Sequence, residues 1–192
     1  IYHEHLFLFS LKTMSQLLAK YDLHVFDIMT SPISGGSWVI YFSTKLISKT
    51  ENVLKAEKHE QETGINTYER WLEFAEQTKA HGKELKKMVS ENEGKIVAYG
   101  ASARSSTLLN FCGLNSDHIS FIIDKNPLKH GLLTPGSNIP VISFEQGLQE
   151  IKNEDRILLL AWNFEDEIVR DLRMEAFSGE FIVPLPNKTH IV

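Results

Sequence analysis

Cysteine is almost absent. Cys112 is the only one in 192 residues, so the chain can form neither an internal disulfide nor a cysteine-rich zinc site. It lies in an apolar stretch (Leu108, Leu109, Phe111, Cys112, Leu114) that reads as a helix packing face, which predicts a buried, inert thiol. No apolar run approaches the roughly 20 residues that a membrane helix needs, and no signal-peptide pattern is present. Both absences predict a chain that works in the cytoplasm and has no membrane partner. Basic clusters are missing too. The 20 Lys and Arg residues against 25 Asp and Glu give a formal charge of −5, and no run of them could follow a line of phosphates. Duplex nucleic acid is thereby excluded as a partner, whereas a small anionic ligand is not. Internal repeats and low-complexity stretches are lacking as well.

What is present is an ordinary globular composition, 42% hydrophobic and 23% charged, with room for one large domain or two small ones. The chain opens on Ile1 rather than Met, inside a dense polar and aromatic string, so we expect it to be a piece of a longer protein. Three segments follow. In residues 1–45, Leu11, Met14, Leu17, Leu18 and Tyr21 recur at helical spacing after Ser10, a capping residue. Leu23, Val25, Phe26 and Ile28 then read as a strand, Ser31, Pro32 and Ser34 as a turn, and Trp38 to Phe42 as a returning strand. That order fits the closing edge of a larger α/β sheet.

Residues 46–93 read as a charged helical connector, broken near Thr63 and Gly64 and restarted by Asn66 with Glu69 three residues on, as in a capping box. Tyr68, Trp71, Leu72, Ala75, Leu85, Met88 and Val89 form one apolar stripe, which predicts a long helix lying against a domain. Residues 94–192 alternate strands (96–99, 119–123, 139–142, 157–161, 181–183) with helices (102–111, 144–151, 164–174). Five short strands with crossover helices predict an α/β domain with a parallel, Rossmann-like sheet.

The string Tyr99-Gly100-Ala101-Ser102-Ala103-Arg104-Ser105 occupies the first strand-to-helix turn of that sheet. Open α/β sheets bind ligands there, because helix N-terminal amides point outward and the dipole favours an anion. Ser102 can cap the helix, Arg104 can grip a phosphate, and Asp124, at the end of the next strand, stands where an acidic side chain accepts ribose hydroxyls. Only the first glycine of the G-x-G-x-x-G pattern is kept, Ser102 and Ser105 standing at the other two positions. The same residues also fit a plain capped turn with Arg104 and Asp124 as solvated charges.

At the other end, Tyr2-His3-Glu4-His5 gathers titratable groups. His5 could remove a carbon-bound proton next to a ketone, since a histidine near its ordinary pKa suits that task at neutral pH. Glu4 or Tyr2 could orient it or steady the enolate oxygen. On spacing alone, a metal site is also open and a satisfied turn is the favoured reading, and this is not the helical H-E-x-x-H spacing of zinc proteases.

Taken in order, several strings resemble the C-terminal part of the S-adenosylmethionine-dependent sugar C-methyltransferase family. They are Tyr2-His3-Glu4-His5 with Phe9-Ser10, Ser34-Gly35-Gly36-Ser37, the Tyr99 to Arg104 turn, Ile123 to Gly131, Pro135-Gly136, Ala161 to Phe164 with Glu167-Ile168, and Pro184-Leu185-Pro186. The resemblance implies that residues 1–45 end a methyltransferase catalytic domain and that residues 94–192 are a Rossmann-like C-terminal domain closing the cleft. It implies His5 as general base, with Tyr2 and Glu4 in the same site, and a nucleoside-diphosphate keto-deoxysugar as substrate. Gly100, Ser102, Arg104, Ser105 and Asp124 would then face that nucleotide-sugar. S-adenosylmethionine, and zinc in a separate N-terminal domain, are implied for parts of the parent enzyme outside this chain; no cofactor or metal is expected within it, and the piece alone is expected to be inactive. Two rival readings are a non-catalytic nucleotide or nucleotide-sugar binding module, and a scaffold dimerising through the helices of residues 51–93.

Overall fold

The structure is a computed structural model and describes residues 6–32, 36–186 and 188–192. These residues fall into two units, residues 6–77 and residues 78–192.

In the first unit, α1 (Leu11–Ala19) starts at Ser10, whose hydroxyl accepts from Thr13 N at 3.1 Å while Thr13 Oγ1 accepts from Ser10 N at 2.9 Å. This reciprocal bonding fixes the helix start. β1 (His24–Ser31) and β2 (Ser37–Ser43) form an antiparallel hairpin. α2 (Glu51–Thr63) follows and ends at Gly64 in the left-handed region. The core is small: Leu11, Val25, Ile28 and Val53 are buried, with Leu18, Ile40 and Ala56 packed against them. The Glu60 carboxylate, on α2, accepts from the backbone N–H groups of Leu11 and Lys12 at the start of α1. A negative charge there answers both the unpaired donors and the helix dipole.

α3 (Tyr68–Ser90) begins one residue later than the sequence pattern suggests. Thr67 is the cap, its Oγ1 accepting from Arg70 N at 3.4 Å. Asn66 instead accepts from the Ser10 hydroxyl at 2.6 Å and donates to Glu60 Oε2 at 3.1 Å. Two capping residue types stand side by side, and the tertiary bonds decide between them. The apolar stripe is also only half buried. Leu85 and Val89 enter the core of the second unit, whereas Tyr68, Trp71 and Leu72 are exposed among the described residues.

The second unit is built on a six-stranded sheet of order β5-β4-β3-β6-β7-β8. Its strands are β3 (Ile96–Tyr99), β4 (Ile122–Ile123), β5 (Val141–Ile142), β6 (Arg156–Leu159), β7 (Glu180–Val183) and β8 (His190–Ile191). All neighbours are parallel except β7 and β8. Counted within the unit, the order is 3-2-1-4-5-6, that of the doubly wound dinucleotide fold. The mostly parallel α/β expectation therefore holds. β4 and β5 are shorter than the apolar runs that announce them, although Ser120 N still donates to Ile96 O, and Phe121 O accepts from Ala98 N, before the regular ladder begins. β8 had no sequence signal.

α4 (Ala103–Cys112) buries Leu108, Leu109 and Cys112 in the core cluster that also holds Leu85 and Val89, whereas α6 (Glu165–Met174) buries Ile168 and Leu172 in the other. α5 (Phe144–Glu150) packs Phe144 and Leu148 against the α6 cluster. Helices thus cover both faces, so the strands read as continuous apolar runs such as Ile96-Val97-Ala98-Tyr99. Cys112 is buried, and that burial pushes its thiol up to about 11. No helix among the described residues is long and apolar enough to cross a membrane.

Candidate functional site

β3 and β6 are adjacent and parallel, yet β3 leads into α4 and β6 into α6, which pack into different core clusters. The sheet therefore has its topological switch point between the C-terminal ends of these two strands, the position where open α/β folds hold ligands. Gly100 sits there with φ +98, and a Cβ on it would lie 2.6 Å from the Ala161 Cβ and 3.1 Å from the Ala161 nitrogen. Only glycine allows this backbone angle and this approach of the two exits.

The turn beyond Gly100 is closed by its own side chains. Ser102 Oγ accepts from Ser105 N, and Ser105 Oγ accepts from Ser102 N, each at 3.1 Å. The fully buried Ser105 hydroxyl donates to Gly100 O at 2.7 Å. Both serines at the missing glycine positions thus hold the turn, and α4 starts with Ala103 and Arg104 in its first turn. Arg104 is exposed and makes no ion pair among the described residues. Gly100, Ser102, Arg104, Ser105 and Asp124 are therefore brought together around one turn.

Asp124 is nearly buried, with 8% of its surface exposed. Its Oδ2 accepts from Ala101 N at 2.7 Å and from Lys129 Nζ at 3.0 Å, and its Oδ1 accepts from Asn126 N at 2.8 Å. The Asp124 carbonyl lies 2.7 Å from His130 Nε2. Sequence reasoning did not single out Lys129 or His130; a lysine five residues after an aspartate is too common a pattern to announce an ion pair. The neighbouring Lys125 serves α6 instead, reaching Asp171 at 2.9 Å and Glu167 at 3.3 Å. The Asp171 hydrogen bond raises the Lys125 pKa, and the Lys125 ammonium holds the Asp171 carboxyl below its usual value. Close by, the Tyr99 hydroxyl is buried without a hydrogen-bond partner among the described residues, and desolvation raises its pKa.

Tyr2, Glu4 and His5 lie outside the described residues, as does Gly35. Gly36 takes φ +113, a left-handed turn angle. A cavity of about 600 Å³ opens in the first unit, beside the hairpin and α2, with Asp27, Trp38, Tyr41 and Asn52 in its wall. Asp27 there braces α2, accepting from the Thr50 hydroxyl at 2.6 Å and from Ile28 N at 2.9 Å; the Thr50 bond is the main cause of its lowered pKa. No cluster of three or more His, Cys, Asp or Glu able to hold a metal occurs among the described residues.

Residues 32–186, which include this switch point, match the family described as the C-methyltransferase C-terminal domain. This chain belongs to that family. It is also 35% identical to "C-methyltransferase NovU" of Streptomyces niveus over 192 aligned positions, covering 97% of this chain and 45% of that protein. A member of the C-methyltransferase C-terminal domain family, the chain thus spans under half the length of the curated relative it matches.

Proposed function

We propose that this chain is the C-terminal part of an S-adenosylmethionine-dependent C-methyltransferase that methylates a carbon next to a ketone on a nucleoside-diphosphate keto-deoxysugar. The observation that carries this reading is the family match over residues 32–186, joined by 35% identity to a named C-methyltransferase. In this reading residues 1–45 close the donor domain of the longer protein, residues 46–93 connect, and residues 94–192 cover the substrate. The exposed Met29, Val39 and Tyr41 lie on the face of the β1–β2 hairpin turned away from its core and support the first assignment, since they form an apolar face that the rest of a larger sheet domain would cover.

His5 takes the proton from the carbon beside the carbonyl, and the electron pair of that C–H bond moves into the enolate. Tyr2 or Glu4 steadies the developing charge on the enolate oxygen. The enolate carbon would then take the methyl group, the new C–C bond forming as the donor's methyl–sulfur bond breaks and its electron pair stays on sulfur. S-adenosylmethionine supplies the methyl group when bound; it and any zinc belong to parts of the longer protein outside this chain. The Gly100–Ser105 turn presents Arg104 and the first amides of α4 to the anionic part of the substrate.

In the longer protein, His5→Ala is expected to lower methyl transfer by about 10²- to 10⁴-fold, the range of a general base, while donor binding is kept. Turnover equal to the parent would remove His5 from the chemistry. Arg104→Ala is expected to raise KM for the nucleotide-sugar and to leave KM for the donor unchanged.

A further inference from the structure

We infer that Asp124 is a positioning residue for the Arg104 turn and does not itself contact the nucleotide's ribose. This inference rests on the reading of that turn as the nucleotide-sugar face, but its structural half stands without it.

In dinucleotide folds an acidic group at this strand end is open to the ligand and takes up ribose hydroxyls. Here the carboxylate faces inward. Its two oxygens accept three donors from two different segments: Ala101 N on the turn, and Asn126 N and Lys129 Nζ on the loop after β4. With its side chain only 11% exposed, it leaves little surface on which a ribose could settle. Charge-assisted bonds of this kind are stronger than neutral ones, and the one to Ala101 is short, at 2.7 Å. Ala101 lies between Gly100, pinned by its N–H to Ile123 O at 2.8 Å, and Ser102, the α4 cap. Asp124 and the β4 backbone therefore hold two consecutive peptide groups of the turn, and Arg104 leaves α4 three residues later. Lys129 compensates the buried charge, so that the aspartate need not find a counter-ion in the ligand.

Two measurements on the 192-residue chain test this. Amide hydrogen exchange is followed by NMR in the parent, in Asp124→Ala and in Asp124→Asn. Exchange at Ala101 is expected to rise at least about tenfold in Asp124→Ala, while amides of β6 keep their protection. In Asp124→Asn one oxygen must serve two N–H donors on opposite sides, so exchange at Ala101 or at Asn126 rises. If the alanine variant does not fold, the asparagine variant decides, and unchanged exchange at both amides overturns the inference.

Calorimetric titration with uridine diphosphate and with its 2′,3′-dideoxy analogue gives the second arm. Equal affinities in the parent, both weakened in Asp124→Asn, are the expected result. A dideoxy analogue bound at least about tenfold more weakly by the parent, with that gap gone in Asp124→Asn, would show a direct ribose contact and overturn the inference. If neither nucleotide binds the parent, the nucleotide-facing reading of the turn fails, and the exchange measurement alone decides whether Asp124 holds Ala101.

Discussion

Glu60 shows how much one carboxylate can organise. It is 6% exposed, on a helix whose composition reads as solvated charge, and it serves Leu11 N, Lys12 N and the Asn66 side chain. Removing it strands two helix N-terminal donors in a buried place. Glu60→Ala is therefore expected to destabilise the chain by about 1–3 kcal/mol, read as a lower denaturant midpoint; a midpoint equal to the parent's would show that water replaces the carboxylate without loss. Residues of this kind are hard to see in a sequence, because their partners lie some fifty positions away. Asp124 is a similar case. Its place at a strand end was legible from the apolar run before it, but its inward orientation depends on Ala101, 23 residues earlier. Ser102 and Ser105 were better predicted, since a capping pair three residues apart is a local signal.

Among the described residues, two helices carry a glycine within their span, with opposite consequences. A Cβ at Gly147 of α5 would lie 2.5 Å from Ile123 Cδ1, and Ile123 is fully buried and has nowhere to move. At Gly82 of α3 the near atom is the Phe111 ring at 2.9 Å, and that ring is 52% exposed and free to swing out. Alanine favours a helix interior by about 1 kcal/mol over glycine. Gly82→Ala is accordingly expected to be neutral or to stabilise by up to about 1 kcal/mol, whereas Gly147→Ala is expected to lose about 1–3 kcal/mol to overpacking. Thermal melts of the two variants would check the sign, and equal losses at both sites would refute this account.

The joint between β4 and α6 predicts a pH profile. Bonding to Lys125 lowers the folded-state pKa of Asp171 below its ordinary 3.8, so its contribution is complete above that value and is lost as the pH falls through the lowered one. Lys125 is raised above its ordinary 10.5, so its contribution is complete below that value and is lost as the pH rises through the raised one. The melting temperature of Asp171→Asn should accordingly lie below the parent's across neutral pH and converge with it in acid. A gap of constant size down to the acid limit would argue for packing instead of charge.

Across the whole molecule, the two units differ in how much they bury. Among the described residues, the first has four buried apolar residues in its core and exposes Leu6, Phe7, Leu8, Phe9, Met29 and Tyr41, while the second fills both faces of its sheet. Amides of β1 and β2 are therefore expected to exchange roughly tenfold or more faster than those of β3 and β6, and uniform protection across both units would contradict this. The alternation of strands and helices in the second unit was legible from β3 to β7, because buried parallel strands read as nearly continuous apolar runs. Its last strand was not, since His190-Ile191 gains its structure only from β7 beside it.

That unannounced strand also decides how the sheet ends. β8 runs against its neighbour and is two residues long, and β5 on the far border is equally short, its outer side already bonded through Val141 to Gly131 and Leu132. Open borders are where identical chains add to one another, rung upon rung, into fibres. With both outer rungs trimmed to two residues, this sheet offers another copy too little backbone to template against, and crowding alone should not zip molecules together through it.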